Sequence, residues 1–376
     1  MRIGLVVTGG FDRSGRERVV PTLLWLVERL ARHHQVHVFV IDYYREPCDY
    51  PLLGAIVHDI GRVTGPPGLR RVRVRRLLAA AIRAHGPFDV LHAYLGVPSA
   101  IVSPIAQRLG IPTVLSLASG EFVALEDIGY GMQRRWVDRS TLARATAAAT
   151  RVTVDTAFMA NLAAAHGVRT RVIPLGIDPR VFPLTSRTEG PPWRLLRVAS
   201  LNPVKDYPTL LLALGSIVRR GLDVQLDIVG EDTMNGAIQE LTRTLGLEAH
   251  VAFHGFQPTD RLAGFYARAH LHVSPSRHEG AGVVMLEAAS AGLMSIGSAV
   301  GHLSDWSDVS ASLPERGVAV APQAPQALAD AIVDLLSDWP RRERIAAAAR
   351  DWTLAHDADW TAWQFEALYA EAARSK

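Results

Sequence analysis

The sequence predicts a two-domain α/β protein with parallel sheets, on three observations. Short apolar runs alternate with helical patterns along nearly the whole chain, one polar, proline-rich stretch interrupts the series, and the alternation then resumes. At 376 residues the chain is long for one domain and suits two. Apolar residues at 48 % are enough for two cores.

The first series gives strands at Ile3 to Val7, Val36 to Ile41, Val90 to His92, Thr113 to Leu117, Val152 to Val154 and Val172 to Ile173, with helices between. Residues 1–182 form the first Rossmann-like domain. The stretch PLTSRTEGPPW, 183–193, reads as an interdomain linker. The second domain, 194–354, carries strands near Leu195 to Ser200, Gln225 to Val229, Val251 to His254 and Leu271 to Val273. Helices are expected over 324–349 and 358–374. The second of these, within a terminal segment 355–376, carries Trp360, Trp363, Phe365, Leu368 and Tyr369, and needs a surface to pack on.

Composition bounds the function classes. Cys48 is the single cysteine, which excludes an intramolecular disulfide and a cysteine-built metal site. There is no run of 18 apolar residues and no signal-like N-terminal segment, so a cytoplasmic location is expected. A net charge of +3 does not argue for nucleic acid. The charge is uneven, however: Arg62, Arg70, Arg71, Arg73, Arg75, Arg76 and Arg83 crowd a helix ending near His85. That helix presents either a solvated face, an anionic-membrane contact or a surface for an acidic acceptor.

The most informative stretch is LHVSPSRHEGAGVVMLEAASAGLMSIGSAVG, 271–301. Glu287 stands in an otherwise Ala, Gly, Val, Leu, Met and Ser helix, Val283 to Ala291, closed by Gly292; an unpaired carboxylate there costs several kcal/mol, so a polar partner is expected. A strand, the loop Pro275 to Gly282 and a helix N-terminus follow in that order, an arrangement suited to a diphosphate. Glu279 and Glu287 are eight positions apart, about 12 Å of helix rise, which would let them meet the two ends of an extended ligand. A nucleotide sugar has that layout.

The segment resembles the signature of retaining family 4 glycosyltransferases of GT-B fold, through Pro275, Ser276, Glu279, Gly280, Gly282 and Glu287. RIGLVVTGG, FDVLHAY, IPTVLS, VIPLGIDPRVF, VASLNPVKDYPTLLLAL, LDIVGED and VAFHGF extend the resemblance over nearly the whole chain. It implies two Rossmann-like domains with parallel sheets facing across a cleft and a terminal helix crossing back to the first. The implied activity is retaining, metal-independent transfer of a sugar from a nucleotide-diphosphate donor, UDP- or GDP-linked, to a glycan, lipid or small-molecule acceptor, with no cofactor. Two rivals are a non-catalytic nucleotide-sugar-binding protein and a GT-B nucleotide-sugar epimerase.

By the same resemblance Glu287 holds the ribose hydroxyls. Glu279 and the amides of Gly280, Ala281, Gly282 and Val283 hold the sugar and distal phosphate, and the loops of Glu231 and Phe256 flank the base. Lys205 neutralises the departing diphosphate. It is the one internal lysine among 40 basic residues, all the others save Lys376 being arginine, which fits a site wanting a compact ammonium. The family's clamp arginine is replaced by Ser200, leaving Asn202 as an added donor contact, while Arg197 falls in mid-strand. The family's loop histidine is also missing: Glu121, Ser119 or the Gly120 amide stands in for it, Glu121 as a catalytic candidate and Ser119 and Gly120 as acceptor-side candidates.

The strand-end rule selects Gly9 and Gly10, for a phosphate or merely for a tight turn, and His92 and Tyr94 on the acceptor side. Gly9, Gly10 and Gly15 do not make a dinucleotide fingerprint. Asp357 and Asp359 read as a helix N-cap rather than a metal-binding D-x-D. No metal site is expected.

Overall fold

The apolar run that opens the chain is β1 (Arg2–Val7), followed by α1 (Pro21–Leu30), β2 (Gln35–Val40), β3 (Cys48–Leu52), β4 (Ala55–Asp59), α2 (Pro67–His85), β5 (Val90–Tyr94), α3 (Gly96–Leu109), β6 (Thr113–Ser116), α4 (Trp136–Ala148), β7 (Arg151–Val154), α5 (Ala157–Ala165) and β8 (Arg171–Val172). The structure is a computed structural model and describes residues 1–309 and 313–374. Residues 310–312, Ser375 and Lys376 therefore lie outside the described residues, including the last two positions of the expected terminal segment.

These strands form one sheet in the order β3-β4-β2-β1-β5-β6-β7-β8, all parallel except β3 against β4. Continuous apolar runs give such strands because helices cover both faces. Ile3, Leu5 and Val7 enter one core, while Val6, Phe39, Leu91 and Leu115 enter the other. Apolar periodicity does not reveal β3 and β4, a hairpin whose two-residue turn, Leu53 and Gly54, has φ of 51° and 79°.

The second series runs β9 (Trp193–Val198), α6 (Tyr207–Arg219), β10 (Val224–Val229), α7 (Ala237–Thr244), β11 (Val251–Phe253), α8 (Thr259–Arg268), β12 (Leu271–Ser274), α9 (Val283–Ser290), β13 (Ser295–Ser298), α10 (His302–Ser307), β14 (Val318–Val320), α11 (Pro325–Ser337), α12 (Trp339–Ala355) and α13 (Ala358–Arg374). Its sheet is parallel throughout, in the order β11-β10-β9-β12-β13-β14. The single helix expected over 324–349 is two, broken where Asp338 accepts the Arg341 amide hydrogen bond at 3.0 Å and caps α12.

The chain divides into two units, Met1–Gly176 with Ala358 onward, and Ile177–Asp357. The division precedes Phe182, because that ring packs edge-on to Tyr266 and its carbonyl accepts from the Ser290 hydroxyl at 2.8 Å. Nor is the stretch after it slack: Arg187 donates to the carbonyls of Ala269, Tyr266, Ala291 and Gly292 at 2.7–3.1 Å. Those carbonyls close α8 and α9, whose last turns have no helical partners of their own. Arg187→Met is expected to destabilise this unit by about 3 kcal/mol or more, read as a lower urea midpoint, since charged hydrogen bonds contribute roughly 1.5–3 kcal/mol each.

The terminal helix α13 packs in the first unit, where Phe365, Leu368 and Tyr369 are buried beside the residues of β1 and α1. Trp363 faces solvent instead, 61 % exposed. Asp359, in its first turn, pairs with Arg29 at 2.9 Å and Arg32 at 3.4 Å.

Each sheet has a strand order that reverses direction once. In the second unit the chain runs from β9 outward through β10 and β11, then restarts on the other side at β12. In the first the reversal lies between β1 and β5. Ligands of open parallel sheets bind outside the carboxyl ends of strands at such points.

Candidate active site

In the second unit the loops after β9 and β12 flank the reversal and are tied together by the Arg277 amide donating to the Val204 carbonyl at 2.8 Å. A 3-10 turn, Pro203–Lys205, ends at Asp206, which has φ of 52° and caps α6 through Thr209. This places Lys205 toward the second loop. Its Nζ donates to Glu279 Oε1 at 2.7 Å, and the Ser276 hydroxyl donates to the same oxygen at 2.7 Å. Burial pushes the Glu279 carboxyl up, but Lys205, Arg197 and Ser276 outweigh it and hold the group below the ordinary glutamate range.

Behind these lies Arg197 on β9, fully buried, donating to the Ser274 and Ser276 hydroxyls at 2.7 Å each. Sequence reading had set Arg197 aside as mid-strand. The strand position is right, and the side chain nevertheless points at the loop.

The turn Gly280, Ala281, Gly282 is fixed from behind, with the His302 amide donating to the Ala281 carbonyl at 2.9 Å. Gly282 has φ of 80° and precedes α9; a Cβ there would lie 2.8 Å from Met285 Cε. No side chain among the described residues caps α9, so the amides of its first turn, beginning at Val283, have no side-chain acceptor. One turn further in, Glu287 is buried and accepts from the Tyr266 hydroxyl at 2.6 Å. Burial pushes its carboxyl up to about 7, against the opposing effect of that hydrogen bond.

Other expected donor contacts sit on the same strand-end edge. Ser200 is exposed, and Asn202 is half-buried with an Oδ1 that meets no partner. Glu231 is exposed after β10, and Phe256, 56 % exposed, follows β11.

The first unit corrects several expectations. His92 is expected at the carboxyl end of its strand, on the acceptor side. It lies inside β5, fully buried, bonded to the Tyr369 hydroxyl and the Ser116 hydroxyl at 2.7 Å each, because β5 continues to Tyr94. Tyr94 is buried as well and donates to Asp155 at 3.0 Å. Glu121 is 2 % exposed and accepts the backbone N–H groups of Gly96 and Ser119 at 2.8 and 2.7 Å, so it closes the N-terminus of α3. Gly120 is buried against Tyr130, whose Cε1 lies 2.8 Å from where a Cβ would stand, and Ser119 meets the Tyr130 hydroxyl at 3.1 Å. Burial pushes Asp155 up to about 7. Sequence reading missed Asp155, which had only its place one residue beyond β7 to mark it.

Gly9 and Gly10 have φ of 112° and 80°, and a Cβ at Gly10 would come 2.6 Å from Val20 Cγ2. Their turn packs closely on Val20 and Tyr43. Gly10→Ala is expected to lower stability by about 1–3 kcal/mol, measured by thermal unfolding.

Sequence spacing also failed to reveal a cluster of His37, His58 and His85. His37 and His58 share a 2.9 Å hydrogen bond, and His85 stacks on His58 with ring centroids 3.8 Å apart. Ligand atoms of the three lie within 4.8 Å of one another, and both nitrogens of His58 are engaged, one by His37 and the other by Asp49 at 2.9 Å each.

Comparison with known proteins agrees with the fold. The family model for glycosyl transferases group 1 matches residues 185–352, and that for a glycosyl transferase 4-like domain matches residues 19–176. A GDP-mannose-dependent alpha-(1-6)-phosphatidylinositol monomannoside mannosyltransferase of Mycobacterium tuberculosis is 28 % identical over 323 residues, 80 % of this chain and 78 % of the relative. A D-inositol 3-phosphate glycosyltransferase of Stackebrandtia nassauensis is 26 % identical over 311 residues, 75 % of this chain and 69 % of its own. Among solved structures, sucrose-phosphate synthase from Thermosynechococcus elongatus superimposes with a TM-score of 0.84 at 22 % identity over all of both chains. HepE of Anabaena with UDP-glucose gives 0.73 at 17 %, also over all of both chains. The chain belongs to the group 1, family 4 glycosyltransferases of GT-B fold. It is a glycosyltransferase, and no described helix is long and apolar enough to cross a membrane.

Proposed function

We propose that the chain moves a sugar from a UDP- or GDP-linked donor to a glycan, lipid or small-molecule acceptor, with retention of anomeric configuration and without a metal ion or cofactor. The observation that carries this reading is the convergence, at the reversal point of the second sheet, of Lys205, Glu279 and the uncapped first turn of α9. An ammonium and free amides stabilise a departing diphosphate as a divalent cation would. The Glu279 carboxylate orients the transferred sugar, and Glu287 accepts from the ribose hydroxyls. Retention follows from attack on the face the leaving group vacates, a phosphate oxygen taking the acceptor proton.

Acceptor-dependent release of UDP or GDP in the presence of EDTA, with the product anomer read by NMR, tests each part. Release that needs no acceptor, release that stops with the chelator, or an inverted product overturns the corresponding part.

The acceptor side includes contact with an anionic membrane at the inner face through α2. Arg71, Arg73 and Arg76 are exposed there beside Leu69 and Leu77, 59 % and 46 % exposed. Arg75 is half-buried, and Arg70 is engaged by Asp42. Co-sedimentation with phosphatidylinositol-containing vesicles is expected at low salt and lost in Arg73→Glu with Arg76→Glu, because each basic contact contributes about 1 kcal/mol.

A further inference from the structure

We propose that Arg197 is a positioning residue of the donor site: its buried guanidinium fixes the Ser274 and Ser276 hydroxyls, and through Ser276 it sets the Glu279 carboxylate for the sugar. This rests on the donor-site reading above.

An arginine in an inner strand of a parallel sheet is an expensive residue to keep, since a buried charge needs compensation nearby. Arg197 is fully buried, and no carboxylate among the described residues bonds it directly. Its compensation arrives through a hydroxyl. Ser276 Oγ accepts from Arg197 Nη2 at 2.7 Å and donates to Glu279 Oε1 at 2.7 Å. A hydroxyl has one donor and two acceptor sites, so this direction of the chain is fixed by the cation at one end and the anion at the other.

Lys205 Nζ reaches the same Oε1 from the opposite loop. Two cations thus converge on one oxygen, one directly and one by relay, and Glu279 Oε2 makes no hydrogen bond among the described residues. The carboxylate is pinned by one oxygen and presents the other. Arg197 thereby supplies from beneath the loop a positive charge that Ser200, exposed after β9, does not supply from the loop itself.

A lysine would not replace it. One ammonium on a flexible stem lacks the planar fork that reaches two hydroxyls at once. The other groups facing Glu279 are Lys205, Tyr207 on α6, His272 on β12 and the backbone at Gly301. Among all the groups around it, Lys205, Arg197 and Ser276 favour the ionised carboxylate.

The test is a carboxyl-carbon NMR titration of the full chain labelled in glutamate, the Glu279 signal being assigned by its loss in Glu279→Gln. Ser276→Ala cuts the relay while keeping the guanidinium, and Arg197→Lys keeps the charge but not the fork. Both are expected to raise the Glu279 midpoint and move the acid limb of kcat upward in pH. Each is also expected to lower kcat roughly tenfold with KM little changed, the loss of one charge-assisted contact. Arg197→Met is the severe variant, and Ser276→Ala decides the matter if it fails to fold. An unmoved Glu279 midpoint in Ser276→Ala overturns the proposal. A shifted midpoint in a protein whose wild type transfers no sugar upholds the positioning of Glu279 and overturns the transfer reading instead.

Discussion

Glu287→Ala is expected to weaken binding of the cognate nucleotide sugar by about 1.5–3 kcal/mol, roughly 10- to 150-fold in Kd. Titration calorimetry reads this directly, with Asp357→Ala, at the entry to α13, leaving Kd unchanged. Equal losses in both variants, or none in Glu287→Ala, would sink the site assignment. A pH dependence accompanies it. In the proposed role the ionised carboxylate would accept from the ribose hydroxyls, and in the free protein burial pushes its pKa up to about 7. Affinity is therefore expected to rise as pH increases through about 7 and then level off.

The same group contributes to folding with the opposite slope. Its folded value lies above the ordinary 4.5, so the stability it lends is complete below about pH 4.5 and is lost as pH rises through about 7. Glu287→Gln should flatten both curves.

The second large effect belongs to Lys205. Lys205→Ala is expected to reduce kcat by about 10²–10³, the cost of removing one stabiliser of a developing anion. It also leaves Glu279 with only its hydroxyl relay, so the acid limb of the rate profile moves to higher pH. Lys205→Arg should recover little, because a guanidinium does not fit the compact approach that now brings an ammonium within 2.7 Å of Oε1. Full activity in Lys205→Ala would remove the leaving-group role.

Parallel strands were legible because two-sided burial writes them as unbroken apolar runs, and nearly every such run in the sequence became a strand. The hairpin of β3 and β4 was not, since CDYPL alternates and carries a proline, and β13 is only Ser-Ile-Gly-Ser. The donor loop was legible for a different reason: its carboxylates are local in sequence, and Lys205 stood out among arginines. Its partnership with Glu279 spans 74 positions and left no local trace. His92 misled because a strand's length decides which residue reaches its end, and two more residues of β5 put the imidazole in the core. Arg197 was hidden by its own rarity, a charge in a strand giving no periodic signal.

The division of the chain has a consequence for biosynthesis. Residues 177–357 are contiguous, so that unit can close its core while the remainder is still being made. The first unit cannot, because Phe365, Leu368 and Tyr369, which fill the space beside β1 and α1, are made only after the whole second unit. β1 thus waits for α13 while the second unit is made, and in that interval the apolar faces of β1 and α1 lack the side chains that cover them.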